Sequence, residues 1–193
     1  MRVFISVLVL IFSLQSWTKA DDIRDFEIEG MSIGDSLLDY ISENKIKKLM
    51  KTDYPNSKKF SRVTIVLPNM TTYEDSMIHF KTNDKKYIIY SIDGGLFFKN
   101  NYKGCKKKKD EITEIISAQF PNLEKTIYSG KHTYDNESLY ELVKFKFQNS
   151  DEIRIWCRDW TDKITKEKNW HDNLAVTLST AEFRKWINNE AFD

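Results

Sequence analysis

The chain has 193 residues, enough for one domain with a sizeable core, and carries 30 Lys and Arg against 29 Asp and Glu. So even a balance excludes the class of nucleic-acid binder that holds phosphates with clustered excess positive charge. No apolar run after the first twenty residues is long enough to span a bilayer, which excludes a membrane-embedded body.

The amino terminus reads as a secretory signal peptide over 1–20. Arg2 supplies a short basic start, VFISVLVLIFSL an apolar stretch too short for a comfortable transmembrane helix, and Thr18-Lys19-Ala20 the small residues of a cleavage site. Its removal takes Arg2 and Lys19 and no acid, leaving 28 basic against 29 acidic residues. No cysteine follows the apolar stretch, so no lipid anchor is expected. The expected product is secreted and soluble, most simply into a bacterial periplasm, with 21–193 as a single domain.

Along that domain, Ser32 and Asp35 have capping spacing ahead of Leu37, Leu38 and Ile41, which predicts a helix, and 43–50 predicts a second short one. Three strands are predicted next, from alternation at Val63, Ile65 and Leu67, at Ile78 and Phe80, and at Ile88, Tyr90 and Ile92. Asn83-Asp84 predicts a hairpin between the last two, and Asp93-Gly94-Gly95 a turn or bulge that interrupts the third. His79, between Ile78 and Phe80, is expected at the surface.

The second part begins with a helix over 105–120, striped by Ile112, Ile115, Ile116 and Phe120 and stopped by Pro121. An edge strand over 125–131 follows. Val143, Phe145 and Phe147, then Ile153, Ile155 and Cys157, then Leu174, Val176 and Leu178 predict three more strands, with a polar loop between the last two. Ser179 with Glu182 has the spacing of a capping box for a final helix carrying Phe183, Trp186 and Ile187. Strands grouped in runs and joined by short turns imply an α+β fold: an antiparallel sheet with helices packed on one face, readable also as two tandem helix-then-strands halves, 21–102 and 103–193.

Cys105 and Cys157 are the two cysteines of the chain. Neither lies in a CxxC, no histidine is near either, and the chain is expected to be exported, so they read as one structural disulfide and not as a metal or redox pair.

Ile28-Glu29-Gly30-Met31-Ser32-Ile33-Gly34-Asp35-Ser36-Leu37-Leu38 resembles the Gly-Met-Ser/Thr motif that starts a helix in small exported bacterial domains of the outer-membrane-assembly lipoprotein and beta-lactamase-inhibitor-protein-like class. That resemblance implies helix pairs followed by antiparallel strands, and a binding or scaffolding role in place of catalysis. The strings EGMSIGDSLLDY and YSIDGG and the Cys157-Arg158-Asp159-Trp160 segment are also similar to a family of signal-bearing bacterial (periplasmic) proteins with no assigned activity.

One loop collects side chains of functional type: Asp159, Trp160 and Asp162, then Trp170, His171 and Asp172. The indoles suit stacking on a peptide or sugar, and the carboxylates with the imidazole suit cation binding or acid and base work. Trp160, Trp170, His171, Asp159 and Asp172 are therefore the candidate binding residues of an expected non-catalytic module that engages a protein or envelope component. A small hydrolase or metal-dependent enzyme built on Asp159, Asp162, His171 and Asp172 is the alternative. No HExxH, GxSxG or Gly-rich phosphate motif is present, and neither catalytic residue, metal nor cofactor is assigned. Lys106 to Lys109, a basic run at a helix start, is a weaker candidate for an anionic partner.

Overall fold

The computed structural model describes residues 22–192; the expected signal peptide lies outside the described residues. In chain order the elements are α1 (Glu43–Leu49), β1 (Phe60–Ile65), β2 (Asp75–Lys81), β3 (Ile89–Phe97), α2 (Tyr102–Gln119), β4 (Glu124–Lys131), β5 (Leu139–Lys146), β6 (Glu152–Asp159), α3 (Asp162–Lys168), β7 (Asn173–Ser179) and α4 (Ala181–Asn189). The seven strands form one antiparallel sheet in the order β1-β2-β3-β7-β6-β5-β4. The last strand in sequence thus sits beside β3, paired from Ser91↔Ser179 to Phe97↔Asn173, and knits the two expected halves into a continuous sheet. None of the described helices is long and apolar enough to cross a membrane.

Alternation along the strands sorts residues between two faces. Val63, Ile78, Ile92, Val176, Ile155 and Val143 lie on one face and join Cys105, Ile112 and Ile116 of α2 and Ile46 of α1 in the main core. The sulfurs of Cys105 and Cys157 stand at disulfide distance, with Cα atoms 5.9 Å apart, and fasten α2 to β6. Lys109 of α2 is buried, with its ammonium 2.7 Å from Glu141 on β5; Lys106 also meets Glu141, and Lys107 and Lys108 meet Glu111. The basic run is therefore matched by carboxylates of its own chain.

The α+β antiparallel architecture is the expected one, but the helices divide between the faces. α1 and α2 cover the main core, whereas α4 lies across the other face at the β1–β3 end. There Phe183 and Trp186 pack on Phe60 and Tyr54. His79 faces this second core and is 4% exposed, its ring 4.6 Å from Phe183 and its Nε2 2.7 Å from the Tyr54 hydroxyl. It is not the surface residue that alternation predicted, because α4 supplies a second apolar layer that alternation within one strand cannot report.

Three local expectations are corrected. Gly94 and Gly95 do not break β3; the strand runs through both, and glycine is required there because the Tyr73 ring lies where a Gly94 side chain would be and the Asp75 carboxylate where a Gly95 side chain would be. The N-cap of α4 is Thr180, whose hydroxyl accepts the Phe183 N–H at 3.1 Å; Glu182 instead meets Lys59 and Lys81. The polar loop after β6 contains α3, started by the Thr161 hydroxyl and anchored by buried Ile164.

Candidate binding surface

Toward β4 the second face is not covered by α4, and the residues there are aromatic and cationic. On β5 and β6 the side chains opposite the main core are Tyr140, Leu142, Trp156 and Arg158, with Tyr140 directly across from Arg158 and Leu142 across from Trp156. The Arg158 guanidinium lies 4.7 Å from the Trp156 ring centre, and Tyr140 and Trp156 are 5.8 Å apart. From Tyr140 the rings continue without a gap: His132 at 6.3 Å, Trp160 at 4.6 Å from His132, Trp170 at 4.8 Å from Trp160, and Tyr134 at 5.1 Å from Trp170. Edge and tilted contacts of this kind let each ring stabilise the next. Lys168 closes the outer end over Tyr134 at 5.8 Å.

Two carboxylates position the loops that carry these rings. Asp135 accepts the N–H groups of Glu137 and Ser138 and the hydroxyls of Ser138 and Thr161, which ties the β4–β5 loop to the start of α3. Burial works to raise its pKa, but the hydrogen bonds from Ser138, Glu137 and Thr161 outweigh that and hold it down to about 2. Asp172 is 8% exposed; its Oδ1 accepts the Trp160 N–H at 2.8 Å and its Oδ2 the Asn100 N–H at 3.0 Å. It thereby clasps the end of β6 to the β3–α2 connection.

Of the residues singled out in the sequence, Trp160 and Trp170 are brought into direct contact, and Trp170 stays 38% exposed. Asp172 is a clasp with both oxygens engaged. His171 is exposed, its ring 6.4 Å from that of Phe97. Asp159 is half-buried, and burial followed by the Asp172 charge raises its pKa. Asp162 is an exposed residue in the first turn of α3. Among the described residues no group of three or more His, Cys, Asp or Glu side chains is arranged to hold a metal ion.

Sequence reasoning missed Tyr140, Trp156, Arg158, His132 and Tyr134. A signal for two of them was present, since Trp156 and Arg158 occupy the alternate positions to Ile155 and Cys157, but their meeting with Tyr140 and His132 depends on the pairing of β6 with β5. Further into the face, Gly95 and Ala175 are small neighbours flanked by Trp156 and by Asp93 and Asp75. Burial raises the pKa of both aspartates, and Asp93 also accepts a hydrogen bond from the Thr177 hydroxyl. Burial pushes the Arg158 guanidinium down to about 10, partly opposed by the Asp93 charge.

Two cavities lie elsewhere. One of about 770 Å³ is lined by turn residues such as Asn122, Gln148 and Asn149 and includes none of these rings. Another of about 590 Å³ adjoins Glu29, whose carboxylate accepts the N–H groups of Thr71, Thr72 and Tyr73 and so fills that backbone anion site from within the chain. The aromatic region is a sheet face with a loop rim, on which Tyr134 and Trp170 are exposed and Leu142 is buried. Compared with protein-family models, with curated proteins and with solved structures, the chain matches none.

Proposed function

We propose that the chain is an exported, non-catalytic binding module that engages a protein or other envelope component through the aromatic face of β5 and β6 and its Trp160–Trp170 rim. The observation that carries this reading is the unbroken run from Trp156 through Tyr140, His132, Trp160 and Trp170 to Tyr134, outside both cores, with Tyr134 and Trp170 exposed. Rings with polar tips bury contact area at small entropic cost and still hydrogen-bond, which is why Tyr and Trp dominate binding hot spots. The near-neutral charge after signal removal supports a partner other than nucleic acid, and the signal sequence supports export.

The enzyme alternative lacks comparable support, since Asp172 is occupied by backbone N–H groups and Asp162 and His171 face solvent. The test is chemical cross-linking and affinity capture from an envelope extract with the oxidised mature chain, repeated with a Trp160→Ala, Trp170→Ala variant. A partner captured by the native chain, lost in the double variant and retained by a Lys51→Ala control bears the reading out. Equal capture by all three, or none from folded protein, overturns it.

A further inference from the structure

Six arginines occur in the chain, five of them among the described residues, and four of those have a carboxylate partner: Arg24 with Asp22, Arg62 with Asp53, and Arg154 and Arg184 with Glu152. Arg158 is the exception. Its close contact is the Trp156 ring, and no carboxylate of the described residues lies within ion-pair distance of it. It stands at a half-buried strand position between Tyr140 on β5 and Asn173 on β7. A guanidinium so placed presents a planar fork of N–H donors, a shape matched by the two oxygens of a carboxylate.

We infer that Arg158 is an anion-binding residue that takes the carboxylate of a peptide, whose adjoining side chains lie against Trp156 and the rings beyond it. The inference rests on the binding-module reading and names its ligand class. Two observations favour that class. Asp93 offsets part of the Arg158 charge, which makes the site less favourable to a phosphate dianion than to a single carboxylate. Leading away from Arg158, the rings of Tyr140, His132, Trp160 and Trp170 carry hydroxyl, imidazole and indole tips suited to peptide N–H and C=O groups.

The test follows the Nε–Hε resonance of Arg158 in an ¹⁵N-labelled mature chain while acetyl-Ala-Ala-Phe is added as the free acid, as its C-terminal amide, or as an amidated analogue with Glu in place of one Ala. Glucuronate serves as a non-peptide carboxylate. The expected result is a saturable shift with the free acid or with the Glu analogue and about tenfold weaker binding or none with the uncharged amide. Arg158→Gln abolishes the preference for the charged peptides, and Arg158→Lys, which keeps charge but not the fork, retains part of it; unchanged thermal melting establishes that both variants fold. Equal binding of acid and amide, an unshifted Arg158 resonance, or glucuronate binding as tightly as the peptides overturns the inference. The Trp160→Ala, Trp170→Ala variant separates the two ideas: a charge preference that persists there while partner capture is lost belongs to Arg158, and capture that persists in Arg158→Gln belongs to the aromatic rim.

Discussion

Trp160 and Trp170 meet with ring centres 4.8 Å apart although the whole of α3 lies between them in sequence. The contact closes the base of that excursion, so the rim is held by its own rings as well as by Asp135 and Asp172. If so, the two indoles are energetically coupled. A double-mutant cycle of Trp160→Phe and Trp170→Phe against urea is expected to give a coupling of about 0.5–1.5 kcal/mol. A value indistinguishable from zero means that the rings adjoin without supporting one another.

The Asp172 clasp predicts a larger effect from a smaller change. Asp172→Ala removes the acceptor for both the Trp160 and Asn100 N–H groups, and leaving such donors without a partner costs about 1–3 kcal/mol. Hydrogen exchange at Trp160 and Asn100 should accelerate well beyond the change at amides in β1 and β2. Uniform acceleration across the sheet would contradict a local clasp.

Linking Cys105 to Cys157 spans a sequence separation of 52 and joins α2 to β6 across the main core. On the chain-entropy model a loop of that size stabilises by about 4 kcal/mol. Urea unfolding of the oxidised chain and of a Cys105→Ala, Cys157→Ala variant measures the difference. A loss under about 1 kcal/mol would place the stability of this region in packing and in the Lys109–Glu141 pair.

Much of this architecture is legible locally. Ile112 and Ile116 mark the buried side of α2, and Val143, Ile155 and Val176 mark one face of three strands, because a single apolar layer imposes its period on each element. Alternation fails at His79 for the converse reason: both faces of β2 are covered, and the second cover, α4, lies far away in sequence. α3 carries no helical stripe in the sequence, because one buried residue, Ile164, anchors a segment otherwise made of Asp, Lys, Glu and Thr. The candidate surface divides in the same way. Trp160 and Trp170 were visible as a cluster in one loop, whereas Arg158, Tyr140 and His132 become neighbours only through strand register.

Glu29 offers a test of a carboxylate that satisfies three backbone donors at once. It has a positive φ of 52° and accepts from Thr71, Thr72 and Tyr73. Burial opposes its ionisation, but these bonds outweigh burial and lower its pKa. Stability from such a depressed carboxylate is present above the unfolded pKa and is lost as pH falls through the folded one. Glu29→Gln is therefore expected to destabilise at pH 7 by about 1–3 kcal/mol, with a smaller difference from native protein at acid pH. A gap that stays constant with pH would assign the effect to shape and not to charge.

His79 predicts pH dependence of a different origin. Burial pushes its pKa down from 6.5 to about 3, Arg62 adds to the shift, and Asp53 opposes it. The unfolded chain binds the proton more readily than the folded one, so the associated stability is full above pH 6.5 and is lost as pH falls toward 3. The slope contributed by this one group in that window is at most about 1.4 kcal/mol per pH unit. In a His79→Phe variant the ring contact with Phe183 can persist while the titrating group is gone, at the cost of the hydrogen bond with the Tyr54 hydroxyl. Urea midpoints measured at several pH values between 7 and 4 should therefore show the variant less stable at pH 7 and losing stability more slowly on acidification, so that the two curves converge or cross. Parallel curves would mean that His79 takes up its proton as readily in the folded chain as in the unfolded one, which would refute the assigned burial.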